Sequence, residues 1–302
     1  MNLNLPPIFV KNITQAFPNS ADWLAELPSL LATAFRRWEL TLGDPFLLSY
    51  NYVCAAERAD GTPAVLKIGV PNNELTSEIN TLKVYDGQGA CRLLEADAEA
   101  GILLLERLQP GTMLLTLEDD DTATEIAADV MYNIQRPMPT GDGFLSLRGW
   151  FAELKNLRPR FGGGTGPFSE KTVEIVEGLL GELFAEDRPQ VLLHGDFHHY
   201  NILLSERGWL VIDPKGVAGA AEYEAGPLLT NPLGEIPGET EAIRRTQRRI
   251  AILAERLGFE RQRLWRWALC HSLLSAFWDI SEDGTGGEYS QAWTEILLKT
   301  AV

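Results

Sequence analysis

Apolar positions in the first third of the chain change period more than once. Within residues 21–31, Trp23, Leu24, Leu27, Leu30 and Leu31 recur at helical spacing and predict an amphipathic helix. Phe35 and Trp38 extend it by a turn or two, and Gly43-Asp44-Pro45 breaks the pattern. From Phe46 the pattern is that of strands. Residues 46–58 and 63–69 flank Ala59-Asp60-Gly61-Thr62, and Asp-Gly between two such runs signals a hairpin. Helical spacing returns at residues 73–85, with Leu75, Ile79, Leu82 and Tyr85 on one stripe, and two further strands are predicted at 91–96 and 101–108.

The remainder is dominated by helical patterns. They are predicted over 117–135, 147–157, 169–185 with Ser169 as N-cap, 220–229, 239–257, 261–280 and from Tyr289 onward. The segment Leu105-Glu106-Arg107-Leu108-Gln109-Pro110-Gly111 ends the first group of strands and reads as a hinge. The expected architecture is therefore α+β in two lobes. An N-terminal lobe over residues 1–108 holds a helical lead-in, an antiparallel sheet and one helix; a C-terminal helical lobe covers 109–302.

Composition narrows the functional classes. A net charge of −16 argues against nucleic acid as a partner, since that needs a basic footprint. No apolar run approaches the ~18 residues of a membrane span, and the N-terminus lacks the basic and apolar regions of a signal peptide. Cys54, Cys91 and Cys270 are scattered and odd in number, as expected of reduced thiols in the cytoplasm.

Candidate chemistry concentrates in residues 191–216, VLLHGDFHHYNILLSERGWLVIDPKG. Two strand-like runs joined by Ser205-Glu206-Arg207-Gly208 form a hairpin that brings Asn201 and Asp213 together. Two oxygen ligands of this kind suit magnesium, which takes the rest of its shell from water and phosphate. Asp196, on the preceding loop, is placed to orient a nucleophile. His194, His198 and His199 with Asp196 offer a zinc or iron alternative, but His-Gly-Asp sits in a strand-to-loop context, without the helical geometry of an HxxxH or HExxH site. Upstream, Lys67 stands inside an apolar strand, where a lysine is costly unless paired. Glu74 and Glu78 follow on one face of the next helix.

This order of parts resembles kinase-like phosphotransferases: a strand lysine, a helix glutamate, a hinge, then His-Gly-Asp-x-x-x-x-Asn and a later Asp. LLHGDFHHYNILL, IDPKG and EYEAGPLLTNP together resemble the family of streptomycin 6-phosphotransferase and hydroxyurea phosphotransferase, over about residues 46–280. The resemblance implies a two-lobed protein-kinase-like fold and transfer of the γ-phosphoryl group of ATP, with magnesium, to a small-molecule hydroxyl. It implies that Lys67 contacts the α- and β-phosphates and that Glu78, or Glu74 a turn earlier, holds Lys67. Asp196 would orient the acceptor hydroxyl, Asn201 and Asp213 would ligate magnesium, and the backbone from Glu106 through Arg107 to Leu108 would meet adenine. The phosphate-covering loop falls in Ser49-Tyr50-Asn51-Tyr52, which has no glycine. Asp213-Pro214-Lys215-Gly216 replaces the Asp-Phe-Gly element of protein kinases; Pro214 argues against a conformational switch and Lys215 is expected to face the phosphates. With no recognisable activation loop, a small cationic or polar acceptor is expected over a protein.

Glu222, Glu224, Asp279, Glu282 and Asp283 are candidates for contacting a cationic acceptor, with Asp279 singled out because Trp278 beside it offers an aromatic wall. A solvated acidic rim is the plain alternative. Two further readings stand beside the resistance kinase: a housekeeping kinase of an amino alcohol or sugar, and a nucleotide-binding regulator without turnover. The sequence leaves the oligomeric state open.

Overall fold

The computed structural model describes residues 3–234, 236–280 and 285–302. The N-terminal lobe contains, in chain order, α1 (Pro7–Ala16), α2 (Ser20–Arg37), β1 (Leu40–Pro45), β2 (Tyr52–Arg58), β3 (Pro63–Ile68), α3 (Asn73–Tyr85), β4 (Leu93–Asp97) and β5 (Ile102–Glu106). The five strands form one antiparallel sheet in the order β1-β2-β3-β5-β4. Alternation along the strands sorts its two faces. Leu66 and Ile68 of β3 and Ile102 and Leu104 of β5 pack with Phe9, Ile13, Trp23, Leu27 and Leu31 of the lead-in helices. Leu103 and Leu105 point the other way, toward Leu75, Ile79 and Leu82 of α3. Lys67 shares that second face by the same alternation. Each fully buried leucine in these layers contributes about 1.5–3 kcal/mol.

The N-terminal strand expectation needs one correction. The run 46–58 is not a single strand: β1 ends at Pro45 and residues 46–51 form a connection before β2. Leu47 in that connection is 98% exposed, so its apolar character reflects no burial. The Leu40/Leu42 alternation was the signal for β1, and it lay hidden behind the helical spacing of Phe35 and Trp38.

The C-terminal lobe continues with β6 (Pro110–Met113), α4 (Asp120–Ile134), β7 (Arg136–Pro137), β8 (Leu145–Ser146), α5 (Leu147–Ala152), α6 (Leu157–Arg160) and α7 (Glu170–Ala185). Then come β9 (Val191–Leu193), β10 (Ile202–Ser205), β11 (Gly208–Val211), β12 (Val217–Gly219), α8 (Ala225–Leu229), α9 (Glu239–Leu257), α10 (Arg261–Asp279) and α11 (Glu288–Lys299). Asp119 caps α4 by accepting from Asp121 N at 3.0 Å, which explains the acidic run there. Ser169 caps α7 through Thr172 N. β10 and β11 form the expected hairpin, joined by β6 into a three-stranded sheet. A further small sheet, β7-β9-β12-β8, threads the helical lobe; its strands of two or three residues are too short to show a period.

The two lobes are stitched at several points. Cys91 N donates to Val211 O and Val211 N to Gly89 O, both at 2.9 Å. Arg207, in the β10–β11 turn, donates to Gly87 O at 2.7 Å and to both carboxylate oxygens of Glu106 at the end of β5. Helix α3 is docked on the far side: Ser77 Oγ donates to Gly216 O at 2.6 Å, and Asn80 Nδ2 to Gly143 O at 3.0 Å.

Candidate active site

The lysine stranded in an apolar strand is paired. Lys67 Nζ lies 2.7 Å from both carboxylate oxygens of Glu78 and also contacts Asp213 Oδ1. Lys67 and Glu78 are each only 4% exposed, so the pair is formed inside the protein and carries little solvent screening. Burial opposes the lysine's charge, but the carboxylates of Asp213 and Glu78 outweigh it and hold the ammonium above its ordinary value. The Asp213 side chain is 35% exposed; burial of the rest pushes its carboxyl up, but Lys67 and Lys215 hold it well below the usual range. Its backbone is left-handed, with φ 60, an uncommon conformation for a residue with a side chain and one that aims the carboxylate back into the cleft.

The loop from His194 to Asn201 is fixed from within. His194 is fully buried; its Nδ1 accepts from Asp196 N at 3.2 Å, so its proton sits on Nε2, which donates to Ile212 O at 2.9 Å. Gly195 is at φ +85, and a Cβ there would lie 2.6 Å from Val217 Cγ2, so only glycine fits the turn. Gly195 N donates to Glu224 Oε1 at 3.1 Å. Asn201 Nδ2 donates to Asp196 O at 2.9 Å and reaches Asp196 Oδ2 at 3.3 Å, which leaves Asn201 Oδ1 as its outward-facing oxygen. His198 Nε2 stands 3.3 Å from Asp196 Oδ1. Burial pushes the Asp196 carboxyl up, but the hydrogen bond and charge from His198, with Lys215 behind them, hold it well below its ordinary value.

Asn201 Oδ1 and the second oxygen of Asp213 are the two oxygens that could serve a hard cation. Among the described residues no group of three or more His, Cys, Asp or Glu side chains is arranged to enclose a metal. The donor set therefore fits magnesium, which keeps waters and binds substrate phosphates, and does not fit a caged zinc or iron. His194 is committed to the backbone and His199 is buried.

Lys215 pairs with Glu74 and lines a cavity of about 460 Å³ together with Lys67, Glu74 and Glu78. Glu78 thus holds Lys67, while Glu74 serves the second lysine. Glu106 has its side chain bound to Arg207 and to Arg92 N, and its own N–H donates to Arg92 O. Arg107 is exposed and Leu108 buried in the connection that follows.

Among the described residues, the acidic side chains expected to meet the acceptor do not gather at one place. Glu222 is buried and ion-paired with Arg263 at 2.9 Å, a contact that neutralises both inside the helical lobe. Glu224 lies beneath the Gly195 turn, where burial pushes its carboxyl up to about 8. Asp279 turns toward α11, with Ser290 Oγ 3.4 Å away, while its neighbour Trp278 lines the cavity. Glu282 and Asp283 lie outside the described residues. The sequence singled out charge, and packing turned Glu222 and Glu224 inward. Outside the metal alternative, the sequence assigns His198 no role. Its signal was its place two residues after Asp196 in a turn tight enough to fold the ring back onto the carboxylate.

The profile of the aminoglycoside/hydroxyurea antibiotic resistance kinases matches residues 43–284. The chain belongs to that family. Within this resistance-kinase family, it is 32% identical over 94% of its length to a streptomycin 6-kinase of Streptomyces glaucescens, covering 92% of that protein. It is 33% identical over 93% of its length to a hydroxyurea phosphotransferase of Kitasatospora aureofaciens, covering 81% of it. In fold it resembles a choline/ethanolamine kinase family protein of Mesorhizobium loti (TM-score 0.65, 15% identity, 92% of this chain and 94% of that one). It likewise resembles an aminoglycoside phosphotransferase solved with ADP and hygromycin B (TM-score 0.57, 15% identity, 90% and 98%). The two-lobed protein-kinase-like architecture is therefore that of a kinase family acting on small molecules, and among the described residues no helix is long and apolar enough to cross a membrane.

Buried histidines give the resistance kinase a predictable acid response. Burial lowers His194 and His271 from 6.5 to about 4. The unfolded chain then takes up protons before the folded one does, so stability present above pH 6.5 is lost as pH falls toward 4. Thermal melts across that interval should show a falling midpoint, with a smaller slope in His271→Gln; a flat profile would contradict the assignment.

Proposed function

We propose that this protein transfers the γ-phosphoryl group of ATP, with magnesium, to a hydroxyl of a small acceptor of the streptomycin or hydroxyurea class, inactivating it. The observation that carries the reading is the buried Lys67–Glu78 pair with the half-buried Asp213 against it, and Asp196 and Asn201 on the loop beside it. Catalysis of this transfer is mainly positioning and charge stabilisation.

Lys67, held by Glu78, contacts the α- and β-phosphates. Asn201 Oδ1 and Asp213 hold the metal, which when bound supplies positive charge against the phosphates. Backbone groups from Glu106 through Arg107 to Leu108 meet adenine. Asp196 hydrogen-bonds the acceptor hydroxyl and aims its oxygen at the γ-phosphorus. The new O–P bond forms as the bond to the β-phosphate oxygen breaks; ADP leaves and the hydroxyl proton passes to Asp196. A carboxylate held ionised by His198 and Lys215 is a weak base, so it orients the hydroxyl early and takes the proton late, which suits a loose transition state.

Coupled ADP release with streptomycin and with hydroxyurea, with and without a chelator of divalent cations, tests the reading. Turnover should require one of these acceptors and vanish with the metal; the absence of release with either would count against it. Lys215, positioned to act on both Asp213 and Asp196, should matter to turnover. Lys215→Met is expected to lower kcat/KM for ATP by roughly tenfold or more, the scale of one charge-assisted hydrogen bond. Unchanged steady-state constants would remove Lys215 from the phosphate site.

A further inference from the structure

Three aromatic side chains from three separate elements line the cavity that holds Lys67 and Lys215. They are Phe17 just after α1, Tyr50 in the β1–β2 connection, and Trp278 in the last turn of α10. Phe17 precedes the segment matched by the family profile, which begins at residue 43. The lead-in helices therefore do more than cover the sheet; they deliver a ring to the cleft.

Two of the three positions are tied in place. The Trp278 indole N–H donates to Glu153 Oε2 at 2.7 Å, and its ring stands perpendicular to Trp150 at 5.5 Å between centroids. Trp150 in turn abuts the Gly195 turn, so the Trp278 ring is fixed relative to the Asp196 loop. With both contacts made, 41% of Trp278 stays exposed. On the opposite lobe, Asn12 Nδ2 donates to Ser49 O at 3.3 Å, tying α1 to the loop that carries Tyr50. Tyr50 is 52% exposed. The Asn51 side chain is lodged against Gly69, where a Cβ would meet it at 2.3 Å. Glu74 lines the same cavity but is paired with Lys215, so the carboxylate beside the rings is that of Glu153, against the Trp278 ring edge.

Aromatic rings from three elements around one cavity, two of them about half exposed and one with a carboxylate on its edge, match the chemistry that recognises organic cations. We propose that Phe17, Tyr50 and Trp278 form a cage spanning both lobes for an ammonium or guanidinium group of the acceptor, and that the lead-in helices thereby take part in acceptor selection. The carboxylate bound to the indole N–H strengthens the negative face of that ring. The proposal rests on the phosphotransferase reading, and it favours a cationic acceptor such as streptomycin over hydroxyurea, which carries no cationic group.

The test is calorimetric titration of the full chain, with magnesium and a non-hydrolysable ATP analogue present, using streptomycin and hydroxyurea as probes. Phe17→Leu and Trp278→Leu should each weaken streptomycin binding by roughly 3- to 30-fold, the range of a desolvated cation–π contact. Trp278→Phe should retain most of it, and affinity for the analogue should hold in all three. Glu153→Gln keeps an acceptor for the indole N–H but removes the charge, and should weaken streptomycin by less. Wild-type protein that does not bind streptomycin would overturn the proposal. So would leucine variants that bind it as tightly as wild type, or a loss of analogue affinity equal to the loss of streptomycin affinity. ADP release is read separately: cage variants that shift affinity in a protein that never turns over would retain the cage and sink the phosphotransferase reading alone.

Discussion

Asp196→Asn is expected to reduce turnover by roughly 10²–10⁴-fold, the range of a positioned acid–base group. Asparagine keeps the size of the side chain and can still bond the Asn201 amide and the neighbouring ring, so the loop should survive. What it loses is a negative oxygen aimed at the acceptor hydroxyl and a destination for its proton. Nucleotide affinity should stay close to wild type, because Lys67, Glu78 and Asp213 remain paired without help from Asp196. The measurement is single-turnover ADP release alongside titration of a non-hydrolysable ATP analogue. Full turnover in the variant would displace Asp196 from its assigned role. Equal losses of turnover and affinity would make it a structural residue of the metal site.

Gly216→Ala should lower stability by about 2–5 kcal/mol, from roughly 1–2 for the left-handed backbone and 1–3 for overpacking. Gly216 is at φ +70, and an added Cβ would fall 2.0 Å from Thr81 Oγ1, 2.5 Å from Ser77 Oγ and 2.8 Å from Ser77 O. The hydroxyls can rotate, but the Ser77 carbonyl belongs to α3 and moves only with the helix. Relief therefore requires α3 to back away, and Glu78 is the next residue on it. The variant should consequently lose turnover as well as stability, through slackening of the Lys67–Glu78 pair. Urea denaturation and ADP release read the two effects. A variant as stable and as active as wild type would show that α3 is not docked through Gly216. Ser77→Ala, which removes the hydrogen bonds to Gly216 O and from Leu145 N without adding bulk, should cost about 1–3 kcal/mol.

The parts of this architecture that could be read from sequence were those with long periods or fixed spacing. α3 showed itself through Leu75, Ile79 and Leu82, and the β10–β11 hairpin through two apolar runs around a Gly-containing turn. The pairing of Lys67 followed from one physical rule, that a charge inside an apolar strand needs a partner. What stayed hidden depended on direction and not on composition. Glu222, Glu224 and Asp279 are acidic and near the right elements, but whether a side chain faces the cleft or the helical lobe is settled by packing. Arg263 claims Glu222, the Gly195 N–H claims Glu224, and Ser290 draws Asp279 toward α11. Trp278 differs from Asp279 by a single helical step and faces the cavity instead. The Arg207 clamp was equally invisible, since a turn arginine reads as solvated until the turn is folded against Glu106 and Gly87.

The docking of α3 onto Gly216 through Ser77 has a consequence for how such a protein is governed. Kinases that signal keep the counterpart of this helix free to swing, so that their output can be withheld. Here Ser77 ties the helix to Gly216 of the other lobe, and Glu78, the next residue, holds Lys67, so a shift of the helix would open the lysine pair as well. Any influence that loosened that hydrogen-bonded seat would therefore act on the buried lysine directly.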